Sequence, residues 1–125
     1  MSLTLEFGPP LEWHETLSRA GIIIVAAGVA RVRFKATSVI TQVTAVIGTA
    51  PTGSDLICDV NLNGSTIFTT QANRPTIPAG TNEGASGTPN ITNAGPGDYL
   101  TVDVDQVGST VQGSDLTIQI YYTLP

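Results

Sequence analysis

The sequence predicts an all-β fold, an antiparallel two-sheet sandwich with a jelly-roll-like arrangement, and three observations predict it. No segment sustains the i, i+3, i+4 apolar spacing of an amphipathic helix. β-branched residues recur instead in short runs cut by Gly, Pro, Asn and Asp, at intervals near those of sandwich proteins. Residues 80–97 form a long polar stretch with almost no large apolar side chain, the signature of a surface connection. About eight short strands with this density of turn residues favour two packed sheets over one open sheet. An immunoglobulin-like sandwich is the competing topology, but a single cysteine excludes its Cys, Trp, Cys spacing.

The elements follow in chain order. Leu3, Leu5 and Phe7 alternate with Thr4 and Glu6 until Gly8-Pro9-Pro10 stops the run, and residues 13–17 add an edge strand. Residues 1–20 are therefore expected to be an N-terminal arm or edge strand, with the sandwich domain over 21–125. The apolar residues 22–30 read as a buried strand. In 31–36, Val32 and Phe34 face opposite to Arg31, Arg33 and Lys35, so that strand has one wet face. Residues 39–47 carry Val39, Val43, Ala45 and Ile47 on one parity and Ile40, Thr44 and Val46 on the other, which makes both faces apolar.

Asn63-Gly64 is the sharpest local signal, because this pair accepts positive φ at both centres of a type I′ turn. The two-residue turn places Leu62 opposite Ser65, Val60 opposite Ile67 and Cys58 opposite Thr69, with Val60 and Ile67 in the core. The other face, with Phe68 and Asp59, is expected to be partly exposed. Leu100, Val102 and Val104 then alternate with Thr101, Asp103 and Asp105, and Leu116, Ile118, Ile120 and Tyr122 with Thr117, Gln119 and Tyr121. These last two strands are expected to pair as neighbours across residues 108–114.

Composition bounds the function. A chain of 125 residues holds one core. Charged residues make up 12%, about half the usual share, and the net charge of −5 repels phosphate backbones, so nucleic acid is not an expected partner. Cys58 is the single cysteine, which rules out an intrachain disulfide and a CxxC metal site. The longest apolar run is about half the length that crosses a bilayer, so no membrane partner is expected. No secretory leader is read at the start, and the protein is expected to act in a cytoplasm or be carried out within a particle.

Candidate chemistry is sparse. His14, the one histidine, has no cysteine or patterned serine beside it, and Cys58 alternates with Leu56 and Val60 on the inner face, where a thiol ionises poorly. The aspartates lack EF-hand spacing and are expected on solvated faces. No catalytic, cofactor or metal residue is assigned, and no enzyme activity is expected. The two-sided apolar strand and the apolar arm point instead to an interface at Leu5, Phe7, Trp13, Ile40 and Val46. Asn82, Glu83, Asn90 and Asn93 are the candidate residues of a binding loop.

Several segments also resemble a known group of proteins. Residues 46–57 (Val-Ile-Gly-Thr-Ala-Pro-Thr-Gly-Ser-Asp-Leu-Ile), Asp59-Val60-Asn61-Leu62-Asn63-Gly64, Asn73-Arg74-Pro75-Thr76-Ile77 and Gly97-Asp98-Tyr99-Leu100-Thr101-Val102-Asp103-Val104-Asp105-Gln106-Val107-Gly108 resemble modules in the structural proteins of tailed bacteriophages. Gly113-Ser114-Asp115-Leu116-Thr117-Ile118-Gln119-Ile120 fits the same pattern. The resemblance spans about residues 30–123, and Asp103-Val104-Asp105-Gln106-Val107-Gly108 is its most specific part. It implies a β-rich virion module made in the host cytoplasm. With about thirty residues ahead of the module, the expected role is a capsid decoration or head-spike protein. Its expected partners are further copies of itself, as a trimer, and a phage capsid or tail protein. The alternative is a receptor- or carbohydrate-binding module of a tail or baseplate, with a host surface glycan as ligand.

Overall fold

The computed structural model describes residues 12–125. Ten strands lie among them: β1 (Glu12–Ile22), β2 (Ala26–Arg33), β3 (Ser38–Thr49), β4 (Leu56–Leu62), β5 (Ser65–Thr66), β6 (Thr76–Ile77), β7 (Glu83–Ala85), β8 (Asn93–Ala94), β9 (Tyr99–Gln106) and β10 (Ser114–Thr123). They form two antiparallel sheets, ordered β1-β10-β3-β7 and β2-β9-β4-β5. β8 continues β7 along the edge of β3, and β6 continues β5 along the edge of β4.

The pairing is that of one long hairpin rolled into two layers. Around the β4–β5 turn, β4 pairs with β5 and β6, β3 with β7 and β8, β2 with β9, and β1 with β10. The roll closes where β10 also pairs with β3 and β9 with β4. This is the jelly-roll topology, and the apex of the whole roll is Asn63-Gly64. Both residues take positive φ, +49° and +91°, and Leu62 lies opposite Ser65. Nothing stands within 4 Å of a Cβ added at Gly64, so a substitution there meets only backbone strain. Gly64→Val is expected to cost about 1 kcal/mol or more, read as a lower denaturation midpoint.

The core lies between the sheets. Ile40, Val43, Ala45 and Ile47 of β3 and Leu116, Ile118 and Ile120 of β10 meet Leu56, Cys58 and Val60 of β4 and Leu100, Val102 and Val104 of β9. Period-two alternation supplies this inner face directly.

Several sequence expectations change. Ile40 sits in the core at 0% exposure, because the β3–β10 register shifts between Tyr121 and Tyr122, with Thr41 as the extra residue. One bulge therefore moves Ile40 to the same side as Val43, Ala45 and Ile47, which removes the two-sided apolar pattern. Within residues 22–30 only Ile23 is fully buried, whereas Ile22, Ile24 and Val25 are 69%, 54% and 59% exposed, because the chain crosses there from one sheet to the other. The β4–β5 pairing stops after Ile67, whose N–H donates to the Val60 carbonyl. The Cys58 N–H bonds the carbonyl of Pro75 instead of meeting Thr69, and Phe68 turns inward to full burial. β9 and β10 fall in opposite sheets, since seven residues suffice to span two layers about 10 Å apart.

The aspartates are structural. Asp103 accepts hydrogen bonds from the Gly28 N–H (2.8 Å) and the Asn61 amide (2.7 Å), which pins the bulge of β2 between Ala26 and Ala30 onto β9. Asp115 does the same for the β1 bulge through the Gly21 N–H. Asp59 is buried and accepts from the Val60 N–H, the Thr66 hydroxyl and the Gln71 amide.

Candidate functional site

The two edge strands β1 and β2 belong to different sheets and lie side by side, so the sandwich is open along this seam. Trp13 pairs in register with Tyr122, whose ring meets Phe34 edge-on at 5.1 Å. The Tyr122 hydroxyl donates to Glu15 (2.9 Å), and burial followed by that carboxylate holds the phenol above its ordinary pKa. Around this anchor Trp13, Val32, Lys35, Tyr122 and Leu124 line a cleft of about 410 Å³. Trp13 is 49% and Leu124 43% exposed. At the other end of the same side lie the exposed Ile22, Ile24 and Val25. The seam is thus apolar at both ends, and the cleft lining also carries the Arg33 and Lys35 cations and the Glu15 carboxylate.

The predicted site residues are scattered relative to this seam. Leu5 and Phe7 lie outside the described residues. Trp13 is in the seam, and Ile40 is in the core. Val46 lies on the outer face of the first sheet, where its register partner is Glu83 of β7. Residues 80–97, expected as a long surface loop, contribute β7 and β8, pieces too short for periodicity to reveal. The Asn82 amide donates to the carbonyls of Ile47 (2.9 Å) and Gly48 (3.2 Å), and the Asn90 amide exchanges hydrogen bonds with Thr70. Asn93 stands opposite Val39 at the far end of that edge. Val46 and Glu83 are therefore the one pairing between the two predicted sets.

His14 is exposed on the outer face of β1, with its ring 5.6 Å from that of Tyr121. Cys58 has its thiol pushed up to about 12, first by burial and then by Asp105, Asp59 and Asp103, so it carries no thiolate at neutral pH. A disulfide-exchange reagent is accordingly expected to leave the native thiol untouched and to react fully after denaturation. Rapid stoichiometric labelling in native buffer would contradict its placement. Among the described residues, no group of three His, Cys, Asp or Glu side chains is placed to hold a metal ion.

The seam residues missed by sequence reasoning are Val32, Tyr122 and Leu124, together with Ile22, Ile24 and Val25. Their alternation was visible, but no sequence pattern says which two strands stand at sheet edges.

No family model matches the chain, and no curated protein matches it. Among solved structures, the chain is similar to one in the cyanophage Pam1 capsid asymmetric unit, at 13% identity and a TM-score of 0.39, covering 100% of this chain and 94% of that one. It is also similar to a chain in the structure of infectious bursal disease virus Gx strain, at 15% identity and a TM-score of 0.40, covering 98% of this chain and 36% of that one.

Proposed function

We propose that this chain is a non-enzymatic structural protein of a phage virion, a capsid decoration or head-spike protein that assembles as a homotrimer on the particle surface. The observation that carries this reading is the exposed apolar surface at both ends of the open β1–β2 side, Trp13 and Leu124 at one end and Ile22, Ile24 and Val25 at the other. Exposed apolar clusters with a polar surround mark association sites. The resemblance of about residues 30–123 to modules of tailed-phage structural proteins supports the virion setting. Residues 1–11, with Leu5 and Phe7, precede β1 and are proposed to extend the same contact.

Burial of this side contributes roughly 25 cal/mol per Å² of apolar area, against the entropy of association, and a stable contact covers about 800 Å² per partner. Light scattering coupled to size exclusion tests the assembly. The wild type is expected to elute as a trimer at micromolar concentration. Trp13→Glu combined with Ile24→Glu is expected to give a folded monomer with the wild-type circular dichroism spectrum and a melting temperature lowered by the lost association. A wild-type monomer, with a 1–11 deletion that leaves particle attachment intact, would overturn the reading.

A further inference from the structure

The chain has five basic residues, Arg19, Arg31, Arg33, Lys35 and Arg74. Arg31 and Arg33 alternate on β2 and project from the outer face of the second sheet, opposite Thr101 and Tyr99 of β9. The Arg31 guanidinium lies 5.9 Å from the centre of the Tyr99 ring. Arg31, Val32, Arg33, Asn63, Gly97 and Tyr99 line a cleft of about 630 Å³, within the size range of ligand pockets.

Among the described residues, neither guanidinium has a carboxylate partner. Asp98 accepts from the Asn63 amide (3.0 Å) and the Gly95 N–H (2.7 Å), and these donors hold its carboxyl below the usual range. Asp103 is taken by Gly28 and Asn61, Asp59 by Val60, Thr66 and Gln71, and Asp105 by Arg74 at 2.7 Å. The Arg74–Asp105 contact is the one ion pair among the described residues. Among the described residues, this acidic protein thus keeps two adjacent cations without an ion pair at the mouth of a cleft.

Between β2 and β9 the backbone groups under the cleft are paired. Arg33 and Tyr99 are register partners, the Tyr99 carbonyl accepts from the Asn63 N–H, and Phe34 exchanges hydrogen bonds with Asp98 and Gly97. A ligand laid on this face meets two guanidinium forks and one phenol ring. Guanidiniums bind carboxylates in a planar, bidentate manner, and an aromatic ring offers its face to an apolar surface of similar size. Gly97 turns the chain at the cleft with φ +86°, a conformation that favours glycine.

We infer that the Arg31–Arg33–Tyr99 cleft binds an acidic saccharide, its carboxylate held by the two guanidiniums and its ring laid against Tyr99. This cleft borders the assembly contact proposed above and shares Val32 and Arg33 with it, but the binding test on isolated protein stands or falls independently of particle location.

The test is a calorimetric and NMR titration with a uronic-acid trisaccharide, its neutral counterpart and a tetraglutamate peptide. The acidic sugar is expected to bind with a Kd of about 1 mM and to shift the Tyr99 resonances. Arg31→Gln and Arg33→Gln are each expected to weaken it about tenfold at unchanged melting temperature, with Arg31→Lys intermediate because it keeps charge but loses the fork. Arg19→Gln, which makes the same charge change away from the cleft, is expected to leave binding intact. No response at about 10 mM, equal binding of the neutral sugar, equal binding of tetraglutamate, or an equal loss in Arg19→Gln would each overturn the assignment.

Discussion

Val60→Asp is expected to leave no stably folded protein at room temperature. Val60 is fully buried on β4, opposite Val102 across the β4–β9 ladder. A carboxylate there is aimed into the space between the sheets, which is filled by Ile, Val and Leu side chains without a polar donor. The cost of an unpaired buried charge is about 4 kcal/mol or more, comparable to the whole stability of a domain. The neighbouring residue shows why direction decides the outcome. Asp59 is also buried, but it faces the other way and meets a backbone N–H, a hydroxyl and an amide. Circular dichroism and urea denaturation read the result, and a midpoint near that of the wild type would overturn the assigned faces of β4.

Gly84→Ala is the second large effect expected, although it adds one methyl group. Gly84 of β7 pairs with Ala45 of β3, and its missing side chain lets β6 of the opposite sheet pass close by. A Cβ at Gly84 would overlap the backbone carbonyl of Thr76, which cannot swing aside as a flexible side chain could. Either β6 or β7 must move, which disturbs the join between the two sheets at the side away from the β1–β2 seam. The expected loss is about 3 kcal/mol, seen as a lowered melting temperature, whereas Gly64→Val acts on the turn alone. A melting temperature equal to the wild type would show that β6 and β7 do not meet as described.

The fold class was legible because period-two alternation in residues 100–104 and 116–122 and the Asn63-Gly64 turn are local features. The turn fixed the first two pairs of β4 and β5, and Val60 and Ile67 took their expected core places. Errors arose where one inserted residue changes a strand's parity. The extra Thr41 in β3 turned Ile40 inward, and the bulge at Gly28 let β2 start at Ala26, with Asp103 spent on holding it. No local pattern marks such bulges, because their cause is the partner strand.

Sheet membership was equally invisible. The connection 108–114 suits both a hairpin and a crossing between layers, and only the rolled topology chooses the crossing. The candidate site suffered for the same reason: Trp13 was legible as exposed aromatic surface, but its neighbours Val32, Tyr122 and Leu124 come from three separate stretches of chain. The Arg31, Arg33 and Lys35 alternation was read, yet its pairing with Tyr99 depends on the β2–β9 register.

The central claim, that this module is built into a virion, is tested most directly by locating the protein in purified particles. Particles from infected cells, banded by density and probed with an antibody raised against the chain, are expected to carry it at a fixed ratio to the major capsid protein, with gold label on the outer surface. A chain that stays in the soluble lysate and is absent from banded particles would contradict the account.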